Sequence, residues 1–74
     1  MRVSQLKKGE KATILSIDAP KVLRERFNSL GIIVGEELLV KHYSWAKKSI
    51  EIEVSQTLII LRDEEADKIE VVVK

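Results

Sequence analysis

Apolar and polar residues alternate with a period of two along much of the second half of this chain. One earlier segment carries the period of a helix. Ile50, Ile52 and Val54 alternate with Glu51 and Glu53, placing three apolar side chains on one face of a strand and two carboxylates on the other. Leu38 and Val40 alternate with Leu39 and Lys41 through His42 and Tyr43, which predicts a partner strand, with residues 44–49 as the hairpin loop. Ser55-Gln56-Thr57 reads as a second turn. Residues 58–61 are apolar throughout, so alternation does not reveal a buried face. That run is either a strand covered on both sides or one with an adhesive outer face. Residues 12–17, short and partly β-branched, and residues 69–73 complete a set of five short strands.

Leu23, Phe27 and Leu30 fall at i, i+4 and i+7, while Lys21, Arg24, Glu25 and Asn28 point elsewhere. This spacing predicts a helix over 22–30 with its apolar stripe against a sheet. Asp18 is placed to cap it, Pro20 suits its first position, and Gly31 can take the left-handed conformation that ends it. Asp63-Glu64-Glu65-Ala66 suits a short second helix, its carboxylates at the positive end of the dipole. Residues 4–9 form a lead-in turn closed by Gly9. The sum is a mainly β fold with one or two short helices: a small, strongly bent antiparallel barrel. Closing the sheet removes most exposed edges from a chain too short to cover them. No repeat, linker or low-complexity tract interrupts residues 1–74, so one domain is expected.

Composition narrows the function classes. The 74 residues are 45% apolar and 34% charged, the balance of a soluble folded protein, and they contain no cysteine. Disulfides, thiolate metal sites and cysteine nucleophiles are thereby removed together. No apolar run approaches the roughly 18 residues of a membrane span, and the N-terminus passes straight into charged sequence without a signal-peptide core. The expectation is a cytoplasmic protein that does not insert into the membrane. A net charge of +1 gives no electrostatic bias towards nucleic acid.

Groups for catalysis are sparse. His42 is the single histidine, and within a strand pattern it reads as a half-exposed sheet residue and not as a base or ligand. No serine sits in a nucleophile elbow, and no glycine-rich phosphate loop is present. Asp63, Glu64, Glu65 and Asp67 are better explained by a solvated helix start than by a cation site, and no cofactor or metal is expected. Lys47 and Lys48 beside Trp45 and Tyr43 form the best nucleic-acid candidate, yet a solvated hairpin with a partly buried tryptophan explains them better. An enzyme is not expected.

What remains is surface for protein contact. Leu39, Tyr43 and Trp45 are expected on the face opposite Leu38 and Val40, and one side of residues 58–61 must also face away from the core unless a helix covers it. Exposed apolar residues of this kind mark a partner site or a self-association site. Arg26, beside the helix stripe, is either an interface anchor or half of a structural ion pair.

The motif set resembles the FeoA family, small cytoplasmic proteins of bacterial ferrous iron uptake. The resemblance rests on Ser4-x-Leu6-x-x-Gly9, Ile14-x-x-Ile17 and Leu23-x-x-Arg26-Phe27-x-x-Leu30-Gly31-Ile32-x-x-Gly35. It continues through Leu38-x-Val40, Ile50-x-Ile52-x-Val54 and Leu61-Arg62-x-x-x-Ala66-x-x-Ile69-x-Val71, and so spans almost the whole chain. RFNSLGIIVG is its most specific part. Two positions depart from the family pattern: Val34 stands where a proline is common, and the turn at Ser55-Gln56-Thr57 lacks a usual glycine. The resemblance implies an SH3-like barrel that binds the cytoplasmic, GTPase-containing region of the membrane transporter FeoB and modulates Fe(II) transport. Arg26, Leu39, Tyr43 and Trp45 are the residues assigned here to partner contact. Transition-metal binding is mentioned for the family, but no residue here carries it over. The same barrel closes DtxR-type iron-dependent repressors, so a nucleic-acid-binding or metal-sensing module is the alternative.

Overall fold

The computed structural model describes residues 1–74, in the order η1 (Val3–Gln5), β1 (Lys11–Ile17), α1 (Lys21–Leu30), β2 (Glu37–Tyr43), η2 (Trp45–Lys47), β3 (Ser49–Val54), β4 (Thr57–Arg62), α2 (Asp63–Ala66) and β5 (Ile69–Val73). η1 and η2 are single 3-10 turns. The strands form one antiparallel sheet in the order β4-β3-β2-β1-β5. Bulges interrupt the register between Ile14 and Ser16 on β1 and between Val40 and His42 on β2. An extra residue on one strand bends it and increases the local twist, which is how so short a sheet wraps around its own core.

The alternation of β3 survives intact. Ile50, Ile52 and Val54 are buried, opposite Tyr43, Val40 and Leu38 on β2 and Leu61, Ile59 and Thr57 on β4. Phe27 is the one fully buried residue of α1; Leu23 packs beside the core and Leu30 is 38% exposed. A buried side chain of this size is worth roughly 1.5–3 kcal/mol, so Phe27 alone can anchor the helix to the core. Gly31 ends α1 at φ 99°, its N–H donating to the Asn28 carbonyl and that of Ile32 to the Phe27 carbonyl. This paired pattern needs a left-handed residue and explains the glycine.

The helix start differs from expectation. Pro20, and not Asp18, occupies the cap position, with extended backbone and a carbonyl that accepts the Arg24 N–H at 2.9 Å. Asp18 instead pairs with Arg2 at 3.5 Å. The open question about residues 58–61 is resolved: Ile59 and Leu61 face the core, and Leu58 and Ile60 face out. Val3 and Leu6 reach into the same core from the N-terminal segment, and Ala66 of α2 closes it from below.

The outer sheet face and the hairpin tip

The four residues assigned to partner contact do not form one patch. Leu39 lies on the outer face of β2, half-buried, opposite Glu53. Shallow surface depressions flank it on either side, one bordered by Lys11, Glu37, Glu53 and Gln56, the other by Lys8, Gly9 and His42. Its row continues across β3 to Leu58, and the next row runs His42, Glu51, Ile60. The outer face of β2, β3 and β4 therefore carries apolar side chains separated by two carboxylates.

Tyr43 is on the other side of the sheet from where alternation placed it. The bulge inserts Lys41 without a partner, so the parity of β2 flips and Tyr43 pairs with the inward-facing Ile50. Its ring packs against the core, and its hydroxyl donates to the Leu6 carbonyl, fastening β2 to the N-terminal segment. Burial pushes the phenol pKa above its usual value, and the nearby Asp63 and Glu10 carboxylates add to the shift.

Trp45 stands at the hairpin tip and is 91% exposed. Ser44 holds the loop closed: its N–H donates to the Ser49 carbonyl at 3.0 Å, and its Oγ accepts the Ser49 N–H at 2.9 Å. The backbone inside is strained, with Ala46 at φ 64° and Lys47 at φ 55°, neither a glycine. Each such residue costs on the order of 1 kcal/mol. The Lys47 ammonium lies 5.1 Å from the centre of the Tyr43 ring, within cation–π range. A large aromatic side chain is thus held out in water on a tip fixed at both ends.

Arg26 leaves α1 and meets Glu65 of α2, Nη1 to Oε2 at 3.0 Å. Glu65 is 8% exposed, and its other oxygen accepts the Arg62 N–H at 2.9 Å. One carboxylate therefore caps α2 and ties it to α1, while the Arg26 side chain itself stays 60% exposed. Glu65 stands at the third helical position from which a carboxylate can reach back to the cap N–H, but Arg62 is not a residue type that announces a cap in sequence. Nothing local announces Arg26 as the second partner. No three histidine, aspartate or glutamate side chains converge as a metal-holding group. No helix is long and apolar enough to cross a membrane.

The FeoA domain matches residues 1–73. A Campylobacter jejuni protein named "Putative Fe(2+) transport protein A" is 38% identical over 71 residues, covering 96% of this chain and 96% of its own. Among solved structures, the FeoA protein of Chlorobium tepidum superposes with a TM-score of 0.93 at 32% identity, over 99% of this chain and 70% of that one. Zinc-complexed FeoA of Stenotrophomonas maltophilia, described as a procaryotic SH3 domain protein, gives 0.85 at 25% identity, over 97% of this chain and 89% of that one. With its SH3-like sheet, its turns and nearly its whole length accounted for, this chain belongs to the FeoA family of ferrous iron transport proteins.

Proposed function

We propose that this chain is a cytoplasmic, non-enzymatic accessory protein of ferrous iron uptake. It binds the GTPase-containing cytoplasmic region of a FeoB-type transporter and modulates Fe(II) transport. Family membership supports the transport context, and Trp45 supports binding. A tryptophan is among the costliest side chains to leave in water and among the commonest energetic anchors of protein interfaces. Here it is offered on a strained tip whose ends are tied by Ser44 and Ser49. Such preorganisation lowers the entropy lost when a partner covers it. Leu39, on the outer face of β2, extends that surface. Tyr43, half-buried, orients the hairpin, and Arg26 holds α1 against α2 while its exposed side chain stays open to partner contact.

Trp45 is the single tryptophan, so its fluorescence reports directly on its own burial. Titration with the isolated cytoplasmic region of the transporter is expected to shift its emission to the blue. Trp45→Ala is expected to weaken binding, read by calorimetry, by about 2 kcal/mol or more, roughly thirtyfold. Unshifted emission at saturating partner, or unchanged affinity in the variant, rules out the tip as the anchor.

A further inference from the structure

The two edges of the sheet are protected very differently. Along β5, the Met1 carbonyl accepts the Val71 N–H at 2.7 Å, Arg2 bridges to Glu70, and the Met1 ammonium and Arg2 guanidinium both reach the Glu70 carboxylate. Before Arg62 at its end, the β4 edge has none of the devices that keep strand edges apart, which are charged side chains, proline, bulges or a covering segment. Its register with β3 is unbroken from Ser49↔Arg62 to Val54↔Thr57. Thr57 to Leu61 contains no charged residue and no proline.

The free groups on this edge can be named. A two-residue turn makes Val54 and Thr57 a hydrogen-bonded pair, so Thr57, Ile59 and Leu61 aim their amides and carbonyls at β3. Leu58, Ile60 and Arg62 aim theirs at the open side. The Arg62 N–H is taken by Glu65. No backbone hydrogen bond from another element reaches Leu58 or Ile60.

We propose that β4 pairs antiparallel with β4 of a second copy of this chain, about a twofold axis through Ile59. In that register Leu58 faces the partner's Ile60 and Ile60 faces the partner's Leu58. Each opposed pair exchanges two hydrogen bonds, so every free amide and carbonyl of both residues is used. Moving the axis to Ile60 would bring in Arg62, whose amide is already occupied, and set its charge against an apolar side chain. On the outer face Leu58 and Ile60, 58% and 68% exposed, meet their counterparts as one apolar strip. The rows then read Glu53, Leu58, the partner's Ile60, the partner's Glu51. Carboxylates of the two copies end up three strand spacings apart, about 14 Å, beyond the screening length of physiological salt. No like charges oppose one another across the joint.

A single strand pair buries less than the roughly 1,200 Å² of a stable complex, so the dimer is weak and concentration-dependent. Its surface does not include Trp45, and the proposal stands apart from the transporter reading. Sedimentation equilibrium of the full chain from micromolar to millimolar concentration is expected to show a reversible monomer–dimer equilibrium. Exchange protection of the Leu58 and Ile60 amides should rise with concentration in parallel. Ile60→Lys and Leu58→Glu, both at exposed positions and checked for fold by circular dichroism, should each weaken the dimer at least about tenfold. Trp45→Ala should leave it unchanged. A strict monomer at millimolar concentration, a dimer indifferent to both edge variants, or freely exchanging Leu58 and Ile60 amides in the dimer would overturn the proposal.

Discussion

Tyr43 shows how much one side chain can decide. Its hydroxyl joins the end of β2 to the Leu6 carbonyl, and the protonated form is the one that makes this bond. Burial raises the folded-state pKa first, and the Asp63 and Glu10 carboxylates raise it further. For an acid with a raised pKa, the unfolded chain loses its proton first. Stability from this group is therefore complete below the ordinary tyrosine value, about 10, and declines as pH climbs past it. Tyr43→Phe is expected to cost about 1 kcal/mol at neutral pH, the worth of one partly buried hydrogen bond. The difference between the two proteins should narrow above pH 10, and paired urea titrations at both conditions measure it. A gap that widened with pH would contradict the assignment. The side chain's place was not legible beforehand. Alternation counts residues, and the unpaired Lys41 adds one without changing the apolar pattern. For Arg26 an ion pair was one of the two readings, but its partner Glu65 lies 39 residues away, beyond any local pattern. Exposure of Trp45 is equally silent in sequence, since a core tryptophan on a strand end would be written the same way.

Among the elements, the β3–β4 hairpin is the one whose sequence suits it least. Ser55 and Gln56 sit at φ 49° and φ 66°, both left-handed, and the flanking pair is Val54↔Thr57. This two-residue turn matches the twist of the strands and favours Asn-Gly because both positions need positive φ. Two ordinary residues there cost on the order of 1 kcal/mol each. Replacing Ser55 with Asn and Gln56 with Gly together is expected to stabilise the protein by about 1–2 kcal/mol in urea denaturation. A neutral or destabilising outcome would mean the turn relaxes to another geometry. The same turn explains an ambiguity in the apolar run that follows. Reading Ser55-Gln56-Thr57 as a loop of three discards the strand parity; a loop of two carries the inward sense of Val54 through Thr57 to Ile59 and Leu61. Helix α1 and β3 were legible because their periods are unbroken, whereas β1 and β2 each carry a bulge. The exchange of Asp18 for Pro20 at the cap was not, since both residues are compatible with a helix start and Arg2 competes for Asp18.

Across the whole molecule, the N-terminal segment covers the β5 edge and part of the core. Val3 and Leu6 are buried to 0% and 2% exposure, the Leu6 carbonyl receives Tyr43, and the Met1 carbonyl covers Val71 at the far end of the chain. The Met1 ammonium bonds the Glu70 carboxylate and holds its pKa below the usual range, with Arg2 adding to the attraction. These contacts join residues almost a full chain length apart, so they carry the largest loop-closure cost and should form late in folding. A small domain has only a few kcal/mol in reserve, and removing one buried leucine costs about 2–5 kcal/mol. Deleting residues 1–6 is therefore expected to leave a chain that is largely unfolded by circular dichroism, although every strand of the sheet is retained. The milder Val3→Ala should accelerate unfolding in stopped-flow urea jumps while leaving the folding rate nearly unchanged, since a contact made after the transition state affects only the unfolding limb. If the variant instead slowed folding, the N-terminal segment would belong to the nucleus. The sheet would then grow from the chain ends inward, and not from the β2–β3–β4 meander whose alternation is the clearest signal in the sequence.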